Sequence, residues 1–170
     1  MTVRTGLRIV SAGPLVSVQD RGRPGHLRRG ITAAGAMDRL ALAVANVALG
    51  NDPGAPAIEV SLGGVVVECV GAPMTIAVAG GGFEVHHDGH PAPAWCVRTL
   101  RAGERLSVRA GSWGSWAYLA VAGRLQTSRW LGSASTHSTS GLGGGAVTAG
   151  ATWEVEAARE LPELVGACLL

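Results

Sequence analysis

The stretch Gln19-Asp20-Arg21-Gly22-Arg23-Pro24-Gly25, followed by Gly35-Ala36-Met37-Asp38, gathers residue types that can hold a small anionic substrate. Arg21 or Arg23 can grip a carboxylate with two parallel N–H bonds. Free backbone N–H groups near Gly35 and Met37, at the start of a helix, can receive negative charge. Asp20 or Asp38 can act as a general base or hold a substrate amide N–H. The same residues also admit a purely structural use. Asp38 can satisfy the helix dipole, and Asp20 can pair with Arg21 or Arg23.

Other constellations carry less chemistry. His86-His87-Asp88-Gly89-His90 suggests a metal site, but Asp88-Gly89 is a favoured two-residue hairpin turn. Adjacent histidines on a strand point to opposite faces, so no metal ligation is expected there. Gly141-Leu142-Gly143-Gly144-Gly145 is similar to a phosphate loop, yet the residues after it read as extended. Gly80-Gly81-Gly82 allows a close backbone approach to a ligand, or forms a tight corner. The hydroxyls of Ser133, Ser135 and Thr136 can bind ligand oxygens or cap their own turn. Cys69, Cys96 and Cys168 are widely spaced and form no C-x-x-C pair, so they are expected to be buried small hydrophobes rather than a disulfide framework or zinc knuckle.

Composition bounds the rest. The 170 residues suffice for one domain with a real core. Hydrophobic residues make up 47% and charged residues 15%, which argues against disorder. All 14 basic residues are arginine, which excludes a Schiff-base or pyridoxal lysine and the lysine of a P-loop. A net charge of +2 is too small to indicate a nucleic-acid or membrane-surface protein. No stretch approaches the roughly 20 apolar residues of a membrane span, and the N-terminus lacks a signal-peptide run. A cytoplasmic location is expected.

The elements that must position these residues are mostly strands. Extended runs are expected at 7–10, 15–19, 57–62, 65–70, 74–79, 83–87, 95–100, 105–109, 117–121 and 152–156, separated by glycine-rich turns. Arg105 to Arg109 alternates polar and apolar, giving one wet and one buried face. Val65-Val66-Val67 is continuously apolar and suits a strand covered on both faces. One helix is expected at 36–49, stopped by Gly50-Asn51-Asp52-Pro53. Its apolar face combines Met37, Leu40, Ala41, Val44, Val47 and Ala48, with Arg39 and Asn46 opposite. The fold class is therefore mainly β, a closed or nearly closed barrel capped by one principal α-helix. The domain spans 7–156, and 157–170 is a tail or the start of a second half; its apolar stretch 161–170 is either a last strand or the start of something truncated.

The ordered string VQDRGRPG, GITAAGAMD, ALAVANVALGN, AIEVSLGG, AVAGGG, WAYLAVAG and LGSAST resembles one family. Its members are known variously as the 5-oxoprolinase C subunit, biotin-dependent carboxyltransferase, allophanate hydrolase subunit 2 and sporulation-kinase-inhibitor antagonist. The resemblance runs from about residue 7 to about residue 155. It implies a cyclophilin-like β-barrel and a longer usual chain whose second half follows the LGSAST region. This chain is accordingly expected to be a fragment or a short member.

The resemblance implies one component of ATP-dependent 5-oxoprolinase, which opens 5-oxoproline to L-glutamate. Its partners would be a protein like the 5-oxoprolinase B subunit (allophanate hydrolase subunit 1-like) and a protein like the A subunit. ATP would be used by the complex, and no cofactor would be bound by this chain alone. One alternative is the carboxyltransferase lobe of a biotin-dependent urea carboxylase, the only reading that involves biotin. Another is a non-enzymatic regulatory module that binds a kinase-inhibitor-like partner. The expected site comprises Asp20 and Asp38 as catalytic groups, with Gln19, Arg23, Gly35, Met37 and Gly81 binding a small polar amide. Two departures from the family pattern stand out. Ala34 replaces a serine, at a cost of about 1 kcal/mol if that hydroxyl caps the helix. After LGSAST, His137 stands in place of an acidic residue, and Gly145-Ala146 in place of a Gly-Arg pair.

Overall fold

Valine- and isoleucine-rich runs that alternate inward and outward residues build two facing antiparallel sheets. The computed structural model describes residues 4–167 and 169. Its strands are β1 (Gly6–Ala12), β2 (Ser17–Gln19), β3 (Ala57–Val60), β4 (Val65–Val70), β5 (Met74–Ala79), β6 (Glu84–His87), β7 (His90–Ala92), β8 (Cys96–Leu100), β9 (Arg105–Arg109), β10 (Ala117–Val121), β11 (Arg124–Leu125) and β12 (Thr152–Glu156). The helix is α1 (Arg39–Val47). One sheet runs β11-β12-β1-β4-β9-β6-β7 and the other β2-β3-β10-β5-β8.

Every extended run expected from the sequence is a strand. Two further strands were not expected: β7, whose Pro91 suits only a sheet edge, and the two-residue β11. Asp88 and Gly89 both take positive φ, 49° and 83°, and turn the β6–β7 hairpin.

The mainly β class with one principal helix holds, but the barrel is not closed, and the sheets stay separate. The segment 145–151 spans one gap between them. It bonds to β2 through Val18 N to Gly145 O (3.1 Å), to the residue just before β2 through Val147 N to Val16 O (2.9 Å), and to β1 through Ile9 N to Ala151 O (2.8 Å).

Two apolar layers result. Between the sheets lie Leu7, Ile9, Val67, Leu106 and Val108 from one side and Val18, Ile58, Val60, Ile76, Val78 and Leu119 from the other. On the outer face of the five-stranded sheet, Ala41, Leu42 and Ala45 of α1 pack on Ala77, Ala79, Tyr118 and Ala120. The strand alanines let the helix approach closely. β3, β5 and β10 are therefore buried along their whole length. Val66 of the continuous valine run is only half-buried, so the strands covered on both faces are these three rather than β4.

The helix is shorter than expected and rotated. Asp38 is its N-cap, accepting from Ala41 N at 3.0 Å. Residues 36–38 stay outside because their amides bond elsewhere: Ala36 N to Asp20 O, Met37 N to Glu59 and Asp38 N to Tyr118. Met37, Leu40 and Val47, assigned to the buried face, are 68%, 72% and 57% exposed. Asn46, assigned to the wet side, is fully buried and donates to Leu42 O and Ala55 O. A segment apolar on nearly all sides has no unique face by periodicity. The small-residue sheet surface and the Asn46 anchor decide which side goes in.

The residues after β12 follow the five-stranded sheet. Thr75 N donates to Arg159 O, Arg159 N to Ala122 O and Gly166 N to Val97 O. Cys69 and Cys96 are buried, and burial, helped by nearby Glu104, pushes the Cys69 thiol up to about 11. Cys168 lies outside the described residues. Among the described residues, no helix is long and apolar enough to cross a membrane, and no group of three His, Cys, Asp or Glu is placed to hold a metal ion.

Candidate functional site

The strand register sets a polar row on the helix-facing side of the five-stranded sheet. Ser17 of β2 lies opposite Glu59 of β3, and Glu59 lies opposite Tyr118 of β10. In Ala57-Ile58-Glu59-Val60, the isoleucine and valine point into the inter-sheet core. The pleat therefore sends Glu59 the other way, towards the residues just before α1.

Glu59 is 4% exposed. Its Oε2 accepts from Met37 N at 2.9 Å and from the Tyr118 hydroxyl at 2.7 Å. The same hydroxyl accepts from Asp38 N at 2.8 Å. Glu59 Oε1 has no hydrogen-bond partner among the described residues. Burial pushes the Glu59 carboxyl above its ordinary pKa, and the two donors offset this only in part. The Tyr118 hydroxyl is raised further still, again chiefly by burial. It remains a protonated donor. A carboxyl raised towards neutrality with one free oxygen can accept a ligand N–H or exchange a proton with it.

A cleft of ≈ 580 Å³ opens over this row, and Glu59 lines it. Its walls include Gln19, Gly35 and Met37, together with Leu15, Trp116 and residues 136–139. Gln19 is 6% exposed. Its Nε2 donates to Ser17 Oγ at 3.0 Å and to Thr136 O at 3.3 Å, while its Oε1 is buried without a partner. A carbonyl can only accept, so the Thr136 contact fixes which way the Gln19 amide faces.

The structure brings Gln19, Gly35 and Met37 to one cleft and places the other expected site residues elsewhere. The Asp20 carboxylate is turned into the 130–136 loop. Oδ1 accepts from Gly22 N (2.7 Å), Ser133 Oγ (2.6 Å) and Ser135 Oγ (2.6 Å), and Oδ2 accepts from Ala134 N (2.7 Å). Burial disfavours its charge, but these donors together outweigh burial and hold the carboxyl below the ordinary range. Such a saturated carboxylate is an anchor rather than the free base foreseen from the sequence. Arg23 is 2% exposed. It donates to Ser135 O and Trp130 O and stands 4.9 Å from the Trp130 ring centre. The guanidinium thus pins a loop through Nε and Nη2, while its Nη1 is buried without a partner. Burial draws its pKa down, opposed by the charge of Asp20.

Asp38 is the helix cap and does not line the cleft. Gly81 does not line it either; its carbonyl accepts from Trp95 Nε1 at 3.3 Å. A Cβ on Gly82 would meet the Trp113 ring, so this glycine run admits the 111–116 loop rather than a ligand. The Met37 amide, expected to be free for an anion, already serves Glu59. Arg21 pairs with Asp52 on the surface.

The hydroxyl loop resolves in favour of structure, because Ser133 and Ser135 serve Asp20. In the glycine run, Gly144 N donates to Ala134 O and Gly145 N to Thr136 Oγ1, so amides that a phosphate would need are engaged. Residue 34 is too far from α1 to cap it. Ala34 and Ala146 both line the cleft instead. His87 meets Glu104 at 3.0 Å, outside the cleft.

Glu59 and Tyr118 are the functional candidates that sequence reasoning missed. The available signal was a lone carboxylate in an otherwise apolar strand, Ala57-Ile58-Glu59-Val60. A charge there is buried and needs partners.

Comparison with known proteins bears on this geometry. The family model for the carboxyltransferase domain, subdomain A and B, matches residues 29–165. The chain is 38% identical over 138 residues to the 5-oxoprolinase C subunit of Escherichia coli (strain K12), covering 81% of this chain and 44% of that protein. It is 35% identical over 143 residues to urea amidolyase of Saccharomyces cerevisiae, covering 82% of this chain and 8% of that protein. Among solved structures, the crystal structure of TTHA0988 in space group P212121 superposes with a TM-score of 0.85 at 31% identity, covering 93% of this chain and 32% of that one. The Kluyveromyces lactis urea carboxylase superposes with a TM-score of 0.83 at 29% identity, covering 94% and 14%. The chain thus spans less than half the length of the curated relatives it matches.

Proposed function

The chain belongs to the carboxyltransferase domain family, subdomain A and B, and from that premise we propose that it supplies a substrate-amide cleft to an ATP-dependent 5-oxoprolinase, which opens 5-oxoproline to L-glutamate. The observation that carries this reading is the similarity to the 5-oxoprolinase C subunit over 81% of the chain. Relatives that are themselves C subunits imply an assembly of several subunits. In this reading the partners are proteins like the A and B subunits of 5-oxoprolinase.

An unstrained lactam carbonyl is a poor electrophile, so ring opening needs activation, which ATP supplies in the complex. The engaged amides of Gly144 and Gly145 support placing the nucleotide on a partner. This chain would bind and orient the lactam. Glu59 receives or returns a proton at the lactam nitrogen, and Leu15 and Trp116 give the cleft part of its apolar lining.

A second reading, the carboxyltransferase lobe of a biotin-dependent urea carboxylase, is favoured by the matches to urea amidolyase and urea carboxylase. Biotin enters only there, as carboxyl carrier. Both reactions present an amide N–H to the protein.

The test is co-expression with proteins like the A and B subunits and assay of glutamate release from 5-oxoproline and ATP. ATP-dependent release that requires this chain supports the first reading. Biotin-dependent consumption of urea without glutamate release replaces it with the second. An assembled complex with neither turnover removes both and leaves a regulatory module.

A further inference from the structure

His137 is the only basic side chain among the described residues that line the cleft, and Glu59 is the only carboxylate. Burial holds the Glu59 carboxyl above its ordinary pKa, which lessens the repulsion that an anion in the cleft would meet. Arg21 is paired with Asp52. Arg23 keeps Nη1 without a partner, but that atom is buried and Arg23 is not part of the lining. A tight turn fixes the His137 backbone. Its N–H donates to Leu142 O (2.8 Å), and its carbonyl accepts from Ser140 N (3.1 Å) and Gly141 N (2.8 Å). The imidazole is held as well. Nδ1 lies 2.7 Å from Ser140 Oγ, and the ring tilts against Trp130 with centres 5.9 Å apart. The Arg23 guanidinium braces Trp130 in turn, 4.9 Å from its ring centre. Nε2 of His137 has no partner among the described residues.

We propose that His137 binds a ligand carboxylate through Nε2–H, and that Ser140 is the positioning residue that keeps the proton on that nitrogen. Ser140 Oγ accepts from Leu142 N at 3.4 Å, and its own hydrogen is available for the Nδ1 lone pair. A neutral imidazole that accepts at Nδ1 carries its proton on Nε2, and protonation adds a charge without moving that donor. A carboxylate then gains more from Nε2–H than an uncharged carbonyl does, because one partner of the bond is ionised. Ser138 and Thr139 belong to the same stretch of the lining, which elsewhere is apolar at Leu15, Trp116 and Ala146. The ligand class is therefore small monocarboxylates with an apolar ring or branch. His137 stands in place of the acidic residue of the family pattern, so this preference is a property of this chain. The proposal rests on the reading of the cleft as the substrate site, and not on which amide reacts. It moves the recognition of a substrate carboxylate from Arg21 or Arg23 to His137.

The experiment uses the full 170-residue chain. Nitrogen NMR of the neutral ring reads the His137 tautomer. Ligand-detected NMR titrations compare cyclopentanecarboxylate with its uncharged counterpart, cyclopentanecarboxamide; neither probe is a lactam. The expected result is the Nε2–H tautomer and a carboxylate that binds at least threefold more tightly than the carboxamide. His137→Ala abolishes that preference, and His137→Gln, which keeps an N–H donor, retains part of it. Ser140→Ala mixes the two tautomers and lowers the preference. An Nδ1–H tautomer in the unaltered chain overturns the proposal. So does a preference below threefold, a preference that survives His137→Ala, or no binding by either probe. The tautomer and the comparison in the unaltered chain stand even if a variant fails to fold. Because no turnover is involved, a complex that releases no glutamate removes the 5-oxoprolinase reading and leaves these results standing. A preference that ignores His137 removes this proposal alone.

Discussion

The hydroxyl of Tyr118 donates to Glu59 Oε2 over 2.7 Å, joining directly opposed positions on β10 and β3 beneath the start of α1. By also accepting from Asp38 N, the hydroxyl ties the sheet to the helix cap, while Glu59 Oε1 is left without a partner among the described residues. The geometry of the site depends on this one buried hydroxyl.

Tyr118→Phe should therefore destabilise the fold by about 1–3 kcal/mol, since it strands the Asp38 amide. It should also raise the Glu59 pKa further, because a donor to the carboxylate is lost. Urea denaturation measures the first effect, and an NMR titration of the Glu59 carboxyl the second. An unchanged titration would show that the hydrogen bond is absent in solution.

Asp20→Asn should act on stability rather than on chemistry. An asparagine amide cannot accept from all four donors, and the expected loss is on the order of 3 kcal/mol. Ligand affinity of the remaining folded protein should be nearly unchanged. A folded Asp20→Asn protein of normal denaturation midpoint that no longer binds ligand would return Asp20 to the cleft.

The two buried carboxyls should oppose each other in their pH dependence. Asp20 lies below its unfolded value, so its contribution is present above about pH 4 and is lost as pH falls through the lower folded value. Glu59 lies above its unfolded value, so its contribution is complete below about pH 4 and is lost as pH rises through the folded value. Thermal melts across this range should show a flatter acid limb in Asp20→Asn. In Glu59→Gln the decline on the alkaline side of pH 4 should disappear.

The helix offers a packing contrast. Leu42→Ala should cost about 2–5 kcal/mol, because the side chain is buried against the alanine surface of the sheet. Leu40→Ala should stay within about 0.5 kcal/mol, because Leu40 stands in solvent. Equal losses in denaturation experiments would mean that the helix is rotated relative to this arrangement.

The strands, the Asp88-Gly89 hairpin and the presence of one helix were legible from residue order. Alternation, turn residues and stop signals act over a few positions and need no partner. The family resemblance was legible for the same reason, as an ordered string of local motifs. Of the expected site, Gln19, Gly35 and Met37 reach the cleft, while Asp20 and Arg23 turn away from it. What turned them is the 130–136 loop, more than a hundred residues further along the chain, which offers Asp20 three of its four donors and Arg23 its carbonyls.

Pairing register made Glu59 a site residue. It sets β3 between Ser17 and Tyr118, and Tyr118 lies 59 positions from Glu59 along the chain. The amino-acid order alone determined which segments extend, which coil and where they turn, since those preferences are local. The tertiary structure decided which polar groups are consumed by the fold and which stay free for a ligand, because a donor becomes a partner only once distant strands and loops have met.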